Sequence, residues 1–141
     1  MELEPLVEIC PKDILFANEH AVLNLDLMTA KKEDLDFANK YTLTAEKNGY
    51  INGLVMWFDT LFTFGKRVIK LTTNPEYQTT HWKQTVFYFK EDIAMKAGEE
   101  ISGTILIKKN EKNMRDLDIK ISYHYEGKNQ KVDGQQFYLF A

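Results

Sequence analysis

Alternation with period two dominates the chain. The clearest case is Asp116 to Tyr125, DLDIKISYHY. Leu117, Ile119, Ile121, Tyr123 and Tyr125 fall on one side, while Asp116, Asp118, Lys120, Ser122 and His124 fall on the other. Successive side chains of an extended backbone point to opposite faces, so this pattern predicts an antiparallel strand with one face buried. Ala21 to Leu27 and Tyr41 to Ala45 alternate in the same way and predict two more strands. Gly53 to Phe64 is nearly continuous in apolar residues. That run predicts a strand, or a bent pair of strands, covered on both faces. Trp82 to Phe89, Ile101 to Lys108 and Gln136 to Phe140 add further strands, and Leu6 to Ile9 adds a short edge strand.

Turn residues separate these runs. Asn48-Gly49 is the strongest hairpin signal, because both residues tolerate positive φ. Ala97-Gly98-Glu99 and Glu126-Gly127-Lys128 mark later turns, and the polar stretch 128–133 reads as a surface loop. Pro11 to Asn18 predicts one short helix with proline in its first turn, and Lys31 to Leu35 predicts one more helical turn. The expected fold class is all-β: an antiparallel β-barrel or sandwich of about eight strands with one or two short helices.

Composition refines this picture in a few places. A length of 141 residues suits one domain with a real core. Aromatic residues make up 13% of the chain, which agrees with a strand-rich fold. The net charge of −3 speaks against a broad phosphate-binding face, so no direct nucleic-acid contact is expected. The one cysteine, Cys10, cannot form an internal disulfide and reads as a buried structural thiol. The start is acidic and no run of about 18 apolar residues occurs, so neither a signal peptide nor a membrane span is expected. An intracellular chain follows from that reading.

Motif chemistry is sparse. GxGxxG, GxxxxGK, HExxH, CxxC and GxSxG are all missing from the sequence. His20, His81 and His124 lack metal-ligand spacing, so no metal is expected. Trp57 and Phe58 read as core. One segment stands apart, Thr79-Thr-His-Trp-Lys-Gln-Thr-Val-Phe-Tyr88. Read plainly, it is a loop entering a strand, with Trp82 as a core or rim aromatic. Read as a recognition loop, the face of Trp82 stacks on a planar guanidinium and His81 pairs with a carboxylate.

Thr80-His81-Trp82, followed by Lys83-Gln84, resembles the THW loop of type I protein arginine N-methyltransferases. Other stretches agree in the same order along nearly the whole chain. They are Glu4-Pro5-Leu6-Val7, Asp34-Leu35-Asp36-Phe37, Leu54 to Thr63, Asn74-Pro75-Glu76, Gly98-Glu-Glu-Ile-Ser-Gly-Thr104 and Asn113-Met-Arg-Asp-Leu-Asp118. The resemblance implies the C-terminal, substrate-binding β-barrel domain over residues 1–141. It also implies that the donor-binding domain, the first barrel strand and the dimerisation arm are absent from this chain. An edge left by the missing strand would then be paired with another copy or covered by the N-terminal residues.

The family implies methyl transfer from S-adenosylmethionine to an arginine ω-nitrogen, in a cleft between a Rossmann-like domain and the barrel. By position, Trp82 lines the pocket for the substrate arginine, His81 supports the active site by pairing with an acidic residue of the other domain, and Thr80 completes the motif. Thr79 stands where relatives often carry Tyr. No catalytic residue and no donor-binding residue is expected in this chain, which alone is expected to be inactive and to bind no S-adenosylmethionine. The implied partners are arginine-rich proteins such as histone tails and RNA-binding proteins, the implied parent assembly is a homodimer through the arm, and the implied location is nucleus and cytoplasm. Two other readings remain open at this point. One is a stand-alone β-barrel protein-interaction module, and the other is an independent enzyme, for which no acid–base or metal cluster speaks.

Overall fold

The computed structural model describes residues 2–128 and 130–141. Nine strands occur among them: β1 (Leu6–Glu8), β2 (Phe37–Thr44), β3 (Gly49–Met56), β4 (Asp59–Phe62), β5 (Ile69–Thr72), β6 (Gln84–Met95), β7 (Glu100–Lys109), β8 (Leu117–Glu126) and β9 (Lys131–Phe140). They form three sheets, ordered β2-β7-β8-β9, β1-β6-β3 and β4-β5. The fold is all-β and its registered pairs are antiparallel. The sheets do not close into a barrel among the described residues. The only helices described are 3-10 turns at Lys12–Ile14 and Lys32–Leu35.

The chain divides into two compact units, and the division falls within β3 and β6. The first unit comprises Met1–Glu4, Phe16–Asn52 and Glu91–Ala141. Its four-stranded sheet is built on the alternation that the sequence displays. Ile119, Ile121, Tyr123 and Tyr125 of β8 are all buried, and Ile121 is opposite Ile105 on β7 and Gln136 on β9. Burying one face of each strand fixes the register, because a slip of one residue would turn the whole apolar set to solvent. Buried tyrosines keep hydrogen bonds: Tyr41 donates to the Ser122 carbonyl at 2.9 Å, and Tyr125 pairs with Glu99. At the outer edge of β9, Leu3 donates to the Phe137 carbonyl and accepts from the Leu139 N–H, each at 2.9 Å. The N-terminal residues thus cover part of a sheet edge.

The second unit comprises Pro5–Leu15 and Gly53–Lys90. Cys10, Val86, Phe87 and Phe89 are buried in it, and β1 lies along β6 with Leu6 opposite Val86 and Glu8 opposite Gln84. β4 and β5 form a separate ribbon with Asp59 opposite Thr72, braced by a Lys70–Asp59 ion pair at 3.3 Å.

Several expectations need correction. Ala21 to Leu27 is not a strand. Leu27 is 80% exposed, so its alternating face has nothing to bury against, and the Asp26 side chain and carbonyl bind the N–H groups of Met28, Thr29 and Ala30 as a turn. Asn48-Gly49 does not close a hairpin, because β2 and β3 belong to different sheets. Gly49 does take a positive φ of 154°, and a Cβ there would lie 2.8 Å from the Phe16 ring. Asn48 instead accepts the Ala97 N–H at 2.8 Å and ties two sheet-to-sheet turns together. Pro11 to Asn18 condenses to the turn at Lys12–Ile14. The run from Gly53 to Phe64 breaks between β3 and β4, and Leu61, Phe62 and Phe64 are exposed rather than covered on both faces. β5 was not expected, since Ile69–Thr72 has only two apolar residues and pairs only locally with β4. Much of the loop expected over 128–133 is strand, for β9 starts at Lys131; Asn129 lies outside the described residues.

Candidate functional site

The loop singled out in the sequence lies between β5 and β6 in the second unit. It leaves β5 through Thr73 and Asn74, both buried. Asn74 then builds a tight turn: its side-chain oxygen accepts the Glu76 N–H at 2.9 Å and its carbonyl accepts the Tyr77 N–H at 3.1 Å. Asparagine suits this position because its short side chain mimics a backbone acceptor.

A second turn carries the triplet. The Lys83 N–H donates to the Thr80 carbonyl at 3.2 Å, closing a four-residue turn with His81 and Trp82 at its centre. Lys83 has φ 57°, in the left-handed region that a non-glycine residue seldom adopts. That twist separates an outward Trp82, 45% exposed, from Gln84, only 5% exposed at the start of β6.

Trp82 is exposed yet held. The Phe58 ring meets it edge-to-face, with centroids 5.8 Å apart and planes at 82°. This geometry sets the positive ring edge against the negative ring face. The His81 ring lies over the indole at 3.9 Å with a 33° tilt. Behind them the Thr80 hydroxyl is buried and has no hydrogen-bond partner among the described residues. The structure therefore brings Thr80, His81 and Trp82 together on one turn, with Thr79 exposed beside them.

Phe58 is the contributor that the sequence reading assigned wrongly. It was expected in the core beside Trp57, but it is 44% exposed and supports Trp82. The available signal was the loss of alternation at Trp57-Phe58, followed by the polar pair Asp59-Thr60.

No group of three or more His, Cys, Asp and Glu is placed to hold a metal among the described residues. A hollow of about 500 Å³ belongs to the first unit and includes Leu25, Asp26, Glu33 and Asn39 in its lining. Near β1, burial and then the Glu8 carboxylate push the Cys10 thiol above its usual range. Tyr88 donates to Glu8 at 2.9 Å, and this bond is the main reason its hydroxyl is held protonated to higher pH. An aromatic face fixed at a turn, with an imidazole beside it, is equipped to receive a planar cation.

Comparisons with known proteins show the family. Residues 1–128 match the family model described as the arginine methyltransferase oligomerization subdomain. Protein arginine N-methyltransferase 1 of Chlamydomonas reinhardtii is 43% identical over 135 residues, which cover 96% of this chain and 39% of that protein. The enzyme of the same name from Schizosaccharomyces pombe is 45% identical over 122 residues, covering 86% and 36%. Among solved structures, the Trypanosoma brucei PRMT1 enzyme–prozyme heterotetrameric complex with AdoHcy superposes with a TM-score of 0.95 at 34% identity, over 99% of this chain and 44% of that one. Arabidopsis thaliana protein arginine methyltransferase 10 shares the fold at a TM-score of 0.92 and 20% identity. The chain spans about two-fifths of the length of the curated relatives it matches. Its motifs, its fold and these matches place the chain in the protein arginine methyltransferase family, in the type I branch, as a C-terminal oligomerization subdomain.

Proposed function

We propose that this chain is the substrate-side portion of an S-adenosylmethionine-dependent protein arginine N-methyltransferase. In that reading Trp82 lines the pocket for the substrate arginine. The observation that carries it is the held, half-exposed Trp82 on the Thr80–Lys83 turn, in a chain whose relatives are arginine methyltransferases.

The chemistry follows from the side chains. A guanidinium is planar and weakly hydrated, so it loses little on leaving water for an aromatic face. Trp82 is the strongest natural cation–π partner, and the contribution is about 0.5–2 kcal/mol depending on how dry the site becomes. Phe58 restricts the indole, so less freedom remains to be lost when arginine binds. His81 pairs with an acidic residue of the donor-binding portion and holds the loop closed. The carboxylates that orient the reacting nitrogen belong to that other portion as well.

The residues of this chain do not fit the methyl donor. Nucleotide-like donors are held where a glycine-rich turn meets a helix N-terminus, and the described residues contain only two 3-10 turns and no such loop. The solved T. brucei complex holds AdoHcy, and this chain covers 44% of the matched chain. We propose further that the chain by itself is inactive and binds no donor. The same proposal carries arginine-rich protein substrates, a homodimeric parent assembly and residence in nucleus and cytoplasm.

Steady-state kinetics of the complete enzyme test the role of Trp82. Trp82→Ala is expected to lower kcat/KM for an arginine peptide about 10- to 100-fold, the loss of about 1.4–2.8 kcal/mol of transition-state stabilisation, with donor affinity unchanged. Unaltered peptide kinetics would remove Trp82 from the pocket.

A further inference from the structure

Trp82 is supported by more than the ring beside it. We infer that Thr73, held by Gln84 and acting through Phe58, is a positioning residue for Trp82; the inference rests on the pocket role proposed above.

Gln84 is 5% exposed, and its amide spans two segments. Its oxygen accepts the Cys10 N–H at 2.9 Å and its nitrogen donates to the Thr73 carbonyl at 2.8 Å. The two ends are not interchangeable, because a reversed amide would set donor against donor and acceptor against acceptor. Gln84 therefore reads both neighbours at once.

Thr73 passes the constraint on. It is 1% exposed and meets the Phe58 backbone three times. Its N–H donates to the Phe58 carbonyl at 3.0 Å, its hydroxyl donates to the same carbonyl at 2.8 Å, and that hydroxyl accepts the Phe58 N–H at 2.9 Å. The backbone of Phe58 is thereby fixed, and its ring stands edge-on to Trp82. From Trp82 the chain returns to Gln84 through the single left-handed residue Lys83.

The result is a closed circuit: Gln84 to Thr73, Thr73 to Phe58, Phe58 to Trp82, and Trp82 back to Gln84. The Gln84–Thr73 link is buried and the Thr73–Phe58 links are part-buried, where an unmade hydrogen bond costs more than at the surface. A half-exposed tryptophan on a two-residue tip would otherwise be free to change rotamer. Here the circuit sets where the indole stands before any substrate arrives.

The test uses the full 141-residue chain with Trp57→Phe, which leaves Trp82 as the only tryptophan. Time-resolved anisotropy and acrylamide quenching then report Trp82 alone. Thr73→Val removes the hydroxyl, and Thr73→Ser keeps it. Quenching is expected to rise about two-fold in Thr73→Val and to stay at the parental value in Thr73→Ser. Phe58→Leu breaks the circuit at an exposed ring while leaving every backbone bond, so it carries the test if Thr73→Val does not fold, and it too should raise quenching about two-fold. Unchanged Trp82 mobility in folded Phe58→Leu or Thr73→Val overturns the inference. The arginine peptide kinetics of Trp82→Ala decide the pocket role separately, so failure of one is distinguishable from failure of the other.

Discussion

A tryptophan with nearly half its surface in water gives up part of the stabilisation that burial would provide, so something else must fix its place. At position 82 that support comes from Phe58 and His81. Thr80 behind them carries a different cost. Its hydroxyl is buried without a partner among the described residues, and such a group forfeits its hydration, at about 1–3 kcal/mol. Thr80→Val keeps the shape and removes the unpaired group. In the chain itself it is expected to leave the thermal midpoint unchanged or raise stability by about 1 kcal/mol; a fall of similar size would show that the hydroxyl is satisfied. At this scale the triplet at 80–82 was legible as a recognition motif only through the family resemblance, which drew on Lys83-Gln84 and the ordered stretches elsewhere in the chain. The supporting parts of Gln84 and Thr73 were not legible. A glutamine at a strand start reads as solvent-facing, and its burial depends on partners 74 and 11 residues away along the chain.

At the scale of elements, the four-stranded sheet is where sequence pattern and structure agree best. β7, β8 and the core of β2 follow their alternation within a residue or two. The failures share one cause: alternation says that one face of a strand seeks cover, but not whether cover exists. Ala21 to Leu27 alternates as cleanly as Tyr41 to Ala45, yet Leu25 and Leu27 stay exposed, while Tyr41 is buried. Asn48-Gly49 was read correctly as a turn and incorrectly as a hairpin, since the pairing partner of a strand is a non-local fact.

Two predictions belong to this sheet. Gly103 on β7 is opposite Tyr123, and a Cβ there would lie 1.8 Å from the Ser122 carbonyl oxygen. Gly103→Ala must displace backbone and is expected to cost about 3 kcal/mol, read as a lowered denaturant midpoint; an unchanged midpoint would mean the strands separate freely. The second concerns alkaline pH. Burial first, and Glu99 next, push Tyr125 up to about 12, and burial with the neighbouring Tyr123 does the same for Tyr138. Tyr41 is raised further, chiefly by burial. Unfolded tyrosine titrates near 10, so between pH 10 and 12 the unfolded chain releases these protons while the folded chain keeps them. Stability is therefore full below pH 10 and falls as pH rises through that window. Tyrosinate absorbance should appear together with loss of circular dichroism. Complete tyrosine ionisation at pH 10 with the sheet intact would contradict the assignment.

For the whole molecule, the all-β class and the family were legible early, because ordered motifs along nearly the whole chain coincide with strand ends and turns. The expected barrel or sandwich class holds as antiparallel sheets, and no closed barrel forms among the described residues. That outcome was beyond the reach of local pattern, because closure depends on which edges meet. A chain at −3 has no electrostatic reason to repel arginine-rich partners.

The central claim is that this chain supplies the arginine-binding side of a methyltransferase and none of the donor-binding side. One experiment addresses both halves: transfer of labelled methyl from S-adenosylmethionine to an arginine-rich peptide, run with the complete enzyme and with the 141-residue chain side by side, with calorimetric donor titration of each. The account predicts ω-methylarginine and saturable donor binding from the complete enzyme alone. Donor binding or methyl transfer by the isolated chain, or no methylarginine from the complete enzyme, would contradict it.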